Sequence, residues 1–169
     1  MGEQFRFFCR TCGDFHEGMP HLGAEAPLYV YAIPEEERGE RVRLTSDTCI
    51  VDDRFFFVRG VIEIPVAGAD EPFGWGVWVS LSRDNFHEYL DHWDDPHRGE
   101  LGPYFGWLSA NFLTYPDAEN LKTMVHPRGD ALRPLIELEP TEHPLSIDQR
   151  EGITVERVAE LYAAYVHDD

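Results

Sequence analysis

The stretch RVRLTSDTCIVDDRFFFVRGVIEIPV, residues 41–66, most constrains how this chain can fold. Two runs rich in Val, Ile and Phe are broken by Asp52-Asp53, short acidic residues whose side chains favour turns over ladder pairing. Turn residues between two β-favouring runs predict a hairpin, with Thr48 to Val51 pairing against Arg54 to Ile64. In the second run Val58, Gly60, Ile62 and Ile64 alternate with Arg59, Val61 and Glu63. Successive side chains on a strand point to opposite faces, so one face is apolar and the other at least partly wet.

Other segments extend this β framework. WGVWVSL, from Trp75 to Leu81, is a further strand, and Leu121 to Val125 and Leu132 to Leu138 are two more. Pro134 has no N–H to give a ladder, which puts the last of these at an edge or bulge. LYVYAI, from Leu28 to Ile33, reads as a short strand ended by Pro34 and an acidic PEEERGE turn able to form a helical turn. SRDNFHEYLDHW predicts a helix: Ser82 is a suitable N-cap, and Phe86, Tyr89, Leu90 and Trp93 fall at i, i+3, i+4 and i+7. SIDQREG is a short helix stopped by Gly152. Thr154 then caps VERVAELYAAYV, in which Val155, Val158, Leu161, Tyr162 and Tyr165 share an apolar face. PYFGWLSANFLTYPD, interrupted by Gly106 and Pro116, reads as irregular.

Hairpins with helices between and after them, and no βαβ rhythm, predict an α+β fold: an antiparallel sheet with helices on one face. With 169 residues and no internal repeat or long linker, one domain over 1–169 is expected, in which 1–22 forms a cysteine and histidine knuckle packed on the main body.

Charge narrows the partners. Thirty-two Asp and Glu stand against 14 Lys and Arg, a formal net charge of −18. Such a field repels phosphate backbones and anionic membranes, so neither nucleic acid nor membrane is an expected partner. A small molecule or a protein, a basic one if the acidic surface itself docks, is the expected class. MGEQFRFF lacks the basic and continuous apolar regions of a signal peptide, and no apolar run is long enough to span a bilayer, which predicts a cytoplasmic protein.

In that compartment three cysteines are an odd number for a disulfide framework. FFCRTCGDFHEG, residues 7–18, instead has the form of a zinc knuckle. Cys9 and Cys12 at C-x-x-C spacing can reach one tetrahedral ion, and Gly13 supplies the tight turn behind them. One knuckle is half a site, so the remaining ligands to Zn2+ must come from elsewhere: His16, nearest in sequence, Cys49 in the expected hairpin, or His126 or His143 near later strands. A thioredoxin-like dithiol is disfavoured because Cys9 opens no helix of a βαβ unit. Four protein ligands would make the ion structural; three would leave a place for a water that zinc acidifies.

Several other groups invite chemistry. ELEPTEHPL sets Glu139, Glu142 and His143 side by side as weak catalytic candidates, able to act as base, ligand and orienter, or simply as a solvated turn. His87-Glu88 with His92 misses the H-E-x-x-H spacing by one residue, so the imidazoles diverge around the helix. Arg59, in an apolar strand, needs a carboxylate partner, with Asp47, Asp52 or Glu63 within sequence reach. Trp75 and Trp78 fall on opposite faces of their strand; one is expected in the core, the other beside Tyr104, Phe105 and Trp107. There is no phosphate-cradling Gly loop, G-x-S-x-G or Rossmann fingerprint.

Four stretches together resemble a bacterial family, domain of unknown function 2199: FFCRTCGDFHEGMP, RLTSDTCIVDDRFFFVRGVIEIPV, WGVWVSLSRDNFHEYLDHW, and the long run from PYFGWLSANF to SIDQREGI. Order and spacing match as well as the words. Met19 stands where leucine is usual, Glu142 for aspartate and Ser146 for alanine; none is a candidate metal ligand. The resemblance implies membership and brings no activity. The residues favour a zinc-stabilised binding or regulatory module over an enzyme. A zinc hydrolase using Glu139 or Glu142 as base, and an acidic immunity or inhibitor protein, are the alternatives.

Overall fold

The expected hairpin is the heart of the structure. The computed structural model describes residues 5–9 and 11–166. In chain order its strands and helices are β1 (Arg6–Phe8), β2 (Phe15–Glu17), β3 (His21–Gly23), α1 (Leu28–Tyr31), α2 (Glu35–Arg41), β4 (Val42–Leu44), β5 (Thr48–Val51), β6 (Phe55–Ile64), β7 (Phe73–Leu81) and α3 (Arg83–Asp91). A 3-10 turn at Arg98–Glu100 precedes β8 (Tyr104–Leu108), β9 (Lys122–His126), β10 (Leu135–Leu138), α4 (Pro144–Glu151) and α5 (Val155–Val166). Asp52 and Asp53 close the β5–β6 hairpin with φ of 55° and 53°, the left-handed region that short polar side chains tolerate best after glycine.

β6 to β10 form a closed five-stranded barrel. β6 pairs antiparallel with β7 from Phe56↔Leu81 to Ile64↔Phe73, and β7–β8, β8–β9 and β9–β10 continue antiparallel. In a meander of five strands the fifth runs in the direction of the first, so closure must be parallel. It is: Leu135 of β10 stands beside Val61 of β6, and the Val61 N–H donates to the Pro134 carbonyl at 3.0 Å. β5 and then β4 extend the sheet beyond β6, and β3 joins β7 in parallel.

The expectation of an antiparallel sheet with helices on one face is therefore wrong, for two identifiable reasons. Pro134 lacks only a donor; its carbonyl accepts the closing bond. The aromatic middle, taken as irregular, contributes β8, without which the ring is open. Glycine hides that strand: Gly106 approaches β7 so closely that a Cβ would collide with Val79 and the Ser80 carbonyl. Leu28 to Ile33 also departs from expectation, being helical at α1. A run of six residues between prolines is too short for periodicity to decide, and β-favouring residue types weigh less than burial of Val30 and Ile33.

The barrel interior is the main core, filled by Phe56, Val58, Ile62, Trp75, Val77, Val79, Leu108, Val125 and Ile136 among others. The β6 alternation holds, with Arg59, Val61 and Glu63 half-buried on the outside. A second cluster lies outside the barrel wall, where α1 brings Val30 and Ile33 onto Cys49, Val51, Phe57 and Trp78. Both tryptophans are thus fully buried on opposite sides of β7, and Trp78 Nε1 donates to the Ala24 carbonyl at 3.1 Å. Phe105 and Trp107 are exposed on the outer face of β8, whereas Tyr104 is buried.

The helices follow their caps. Ser82 Oγ accepts from Asn85 N–H, and Thr154 Oγ1 accepts from Arg157 N–H. Gly152 ends α4 at φ 85°. α5 buries Val158 and Leu161, with Val155, Tyr162 and Tyr165 packed against the same core.

Candidate metal centre

β1 and β2 form a separate two-stranded sheet, with Arg6↔Glu17, Phe7↔His16 and Phe8↔Phe15 in register. That register brings His16 back beside Cys9, which follows β1. Between the strands the loop folds tightly: Cys9 N–H donates to Asp14 O at 2.9 Å, Gly13 N–H donates to Cys9 O at 2.8 Å, and Gly13 takes φ 77°. Only glycine adopts that angle without strain, which explains its place after the second cysteine.

The ligand atoms of Cys9, Cys12 and His16 consequently lie within 4.8 Å of one another. Cys12 Sγ and His16 Nε2 are 3.1 Å apart. Cys9 is buried, Cys12 exposed and His16 intermediate, so the group sits at the surface with one ligand anchored beneath. The backbone N–H of Cys12 donates toward the Cys9 sulfur and holds its thiol below the ordinary value, opposed by burial and assisted by Thr11. Donors aimed at sulfur favour the thiolate, which is the form that binds metal. This Cys2His group could hold a metal ion.

α5 supplies what sequence reasoning missed. His16 packs its ring against Tyr162 at 4.6 Å and Phe7 at 5.4 Å between centroids, and its Nδ1 lies 3.5 Å from the Tyr162 hydroxyl. With Nε2 turned to Cys12, the second ring nitrogen faces an outer partner, the usual means of fixing a ligating imidazole. Tyr162 is 146 residues from His16, and in the sequence it carries only the mark of an apolar helix face.

The other candidates are placed elsewhere. Cys49 is fully buried under α1, and burial pushes its thiol up to about 11. His143 caps α4: its Nδ1 accepts from Leu145 N–H at 3.1 Å and its Nε2 donates to Asp117 O at 3.0 Å, so both nitrogens serve the fold. Glu139 and Glu142 are exposed in the β10–α4 connection. His126 meets Glu137 at 3.1 Å on the barrel exterior, and His92 Nδ1 contacts the Glu88 carbonyl. Among the described residues none of these joins the cysteine group.

Residues 8–153 match a bacterial family described as "Uncharacterized protein conserved in bacteria (DUF2199)". The chain belongs to the DUF2199 family. No curated protein and no solved structure matches it. In this DUF2199 chain Cys9, Cys12 and His16 all fall inside the matched span, whereas Tyr162 on α5 falls beyond it. Among the described residues no helix is long and apolar enough to cross a membrane.

Proposed function

We propose that Cys9, Cys12 and His16 bind one Zn2+ ion, and that this DUF2199 protein is a zinc-stabilised binding module. The observation that carries the reading is the mutual approach of two sulfurs and an imidazole nitrogen within 4.8 Å. Zn–S bonds of about 2.3 Å in a tetrahedron set neighbouring ligand atoms about 3.7 Å apart, a spacing this group reaches with small side-chain adjustment. Thiolate and imidazole donors suit Zn2+ and exclude the hard ions that want oxygen.

A stabilising role is supported by how little else holds the hairpin. Its strands have three residues each, and a two-stranded ribbon of that length is marginal in water. Phe7, buried at 2%, and the His16–Tyr162 contact fasten it to α5; the ion would lock the loop from outside. Three protein ligands leave a fourth place on the ion, but the exposed Glu139 and Glu142 do not join the cysteine group as bases beside it, which favours the stabilising role over hydrolysis.

Elemental analysis of anaerobically purified protein tests the assignment. Wild type and Cys49→Ser should each carry one zinc per chain, and Cys9→Ser, Cys12→Ser and His16→Ala should each lose most of it. Metal-free wild type, or loss of zinc on replacing Cys49, would overturn the reading.

A further inference from the structure

Between the metal hairpin and α5 lies an apolar groove of about 420 Å³ that the metal site does not use. Phe8 and Phe15 form its hairpin wall, their rings edge to face at 5.4 Å. Ala159 and Ala163, one helical turn apart, form its floor. Phe8 and Phe15 remain 45% and 59% exposed, which is costly for two adjacent phenyl rings unless something covers them.

We propose that this groove docks a basic amphipathic helix of a partner protein, whose apolar residues enter between the phenylalanines and α5. Charge selects this occupant. Glu156 and Glu160 line the groove; Glu160 is partly matched by Arg157 at 3.3 Å, while Glu156 makes no ion pair among the described residues. The single basic lining residue, Arg6, lies over the Phe15 ring and meets Glu17 at 3.8 Å. A second copy of this chain would bring another net −18 against the same rim, and an anionic bilayer would be repelled likewise. A short apolar trough with acidic edges accepts a helix that presents anchors at i, i+3, i+4 and i+7 flanked by Lys or Arg.

The proposal rests on the zinc reading in one respect: Phe8 precedes Cys9 and Phe15 precedes His16, so the ion would fix the wall they form. The ion would therefore tighten docking without being required for it.

The probe is a fluorescein-labelled helical peptide of Leu and Lys in that spacing, titrated by anisotropy at about 150 mM salt, where long-range attraction is largely screened. Controls replace every Leu by Ser, or every Lys by Glu. Saturable binding of the Leu/Lys peptide alone is expected, weakened about tenfold or more by Phe15→Ser and by Ala159→Leu. Leu113→Ser, at an exposed apolar residue outside the groove, should leave it unchanged. Circular dichroism checks that each variant is folded. Equal binding of the Ser/Lys peptide, unaltered binding by both groove variants, or a concentration-dependent dimer that displaces the peptide would each overturn the proposal. Zinc content is measured on the same samples. Zinc-loaded protein that ignores the peptide sinks the groove alone. Zinc-free protein sinks the metal reading, and its own titration still decides the groove.

Discussion

At the residue scale the cysteines divide by environment. Cys9 has backbone donors on its sulfur; Cys49 has only apolar neighbours, and its thiol titrates near 11 instead of about 8.5. Because the folded state holds this proton more tightly, stability falls with rising pH once the unfolded thiol begins to lose its own. The contribution is complete below about pH 8.5 and is lost as pH rises through 11. Urea unfolding of wild type and Cys49→Ala should therefore diverge in slope between pH 9 and 11, wild type losing stability more steeply. Parallel pH profiles would refute the buried thiol. Sequence spacing alone shows the Cys9–Cys12 pair. It cannot separate a buried Cys49 from a ligand, because that distinction comes from α1 packing over β5. Arg59 teaches the same lesson. Its three expected partners form contact ion pairs elsewhere, Asp47 with Arg133, Asp52 with Arg41 and Glu63 with Arg128, and only Asp47 still attracts Arg59 at longer range. Arg59 instead lies over the Trp78 indole and donates to the Ser46 carbonyl, with its buried Nε unpartnered.

At the element scale the parallel seam is the weak join of the barrel. β10 is in register with β6 only at Leu135↔Val61, so the rest of that edge needs other partners. Gln149 of α4 provides them, accepting from Leu138 N–H and donating to the Ile136 carbonyl, both at 2.8 Å. One side-chain amide thus imitates a missing strand. Gln149→Ala should destabilise the protein by about 1–3 kcal/mol, since two partly buried backbone groups lose their partners. Gln149→Glu should recover part of the loss at most, because a carboxylate has no donor for Ile136. Chemical denaturation measures both, and amide exchange at Leu138 should accelerate in Gln149→Ala, whereas Gln149→Glu keeps the acceptor for that N–H; an unchanged rate in Gln149→Ala would remove Gln149 from the seam. Residue pattern shows β5, β6, β7, β9, β10 and α3 to α5, elements long enough or well enough capped to show themselves. Closure escaped it because a parallel contact between β6 and β10 leaves no local pattern.

At the scale of the whole molecule two electrostatic effects compete. Arg133–Asp47, Arg41–Asp52 and Arg128–Glu63 each join separate segments, and the Arg41 guanidinium holds the Asp52 carboxyl below its usual range. These pairs are partly exposed, and such pairs contribute little to stability. Against them stands a surplus of 18 negative charges on a chain of 169 residues, whose mutual repulsion opposes compaction. Salt weakens both, but not equally. The screening length falls from about 30 Å at 0.01 M to about 8 Å at 0.15 M, which removes most of the repulsion between distant carboxylates and leaves pairs in contact near 3 Å much less affected. The melting temperature should therefore rise when NaCl is increased from about 10 mM to about 150 mM at pH 7. A fall over that interval would mean that the arginine pairs outweigh the surplus.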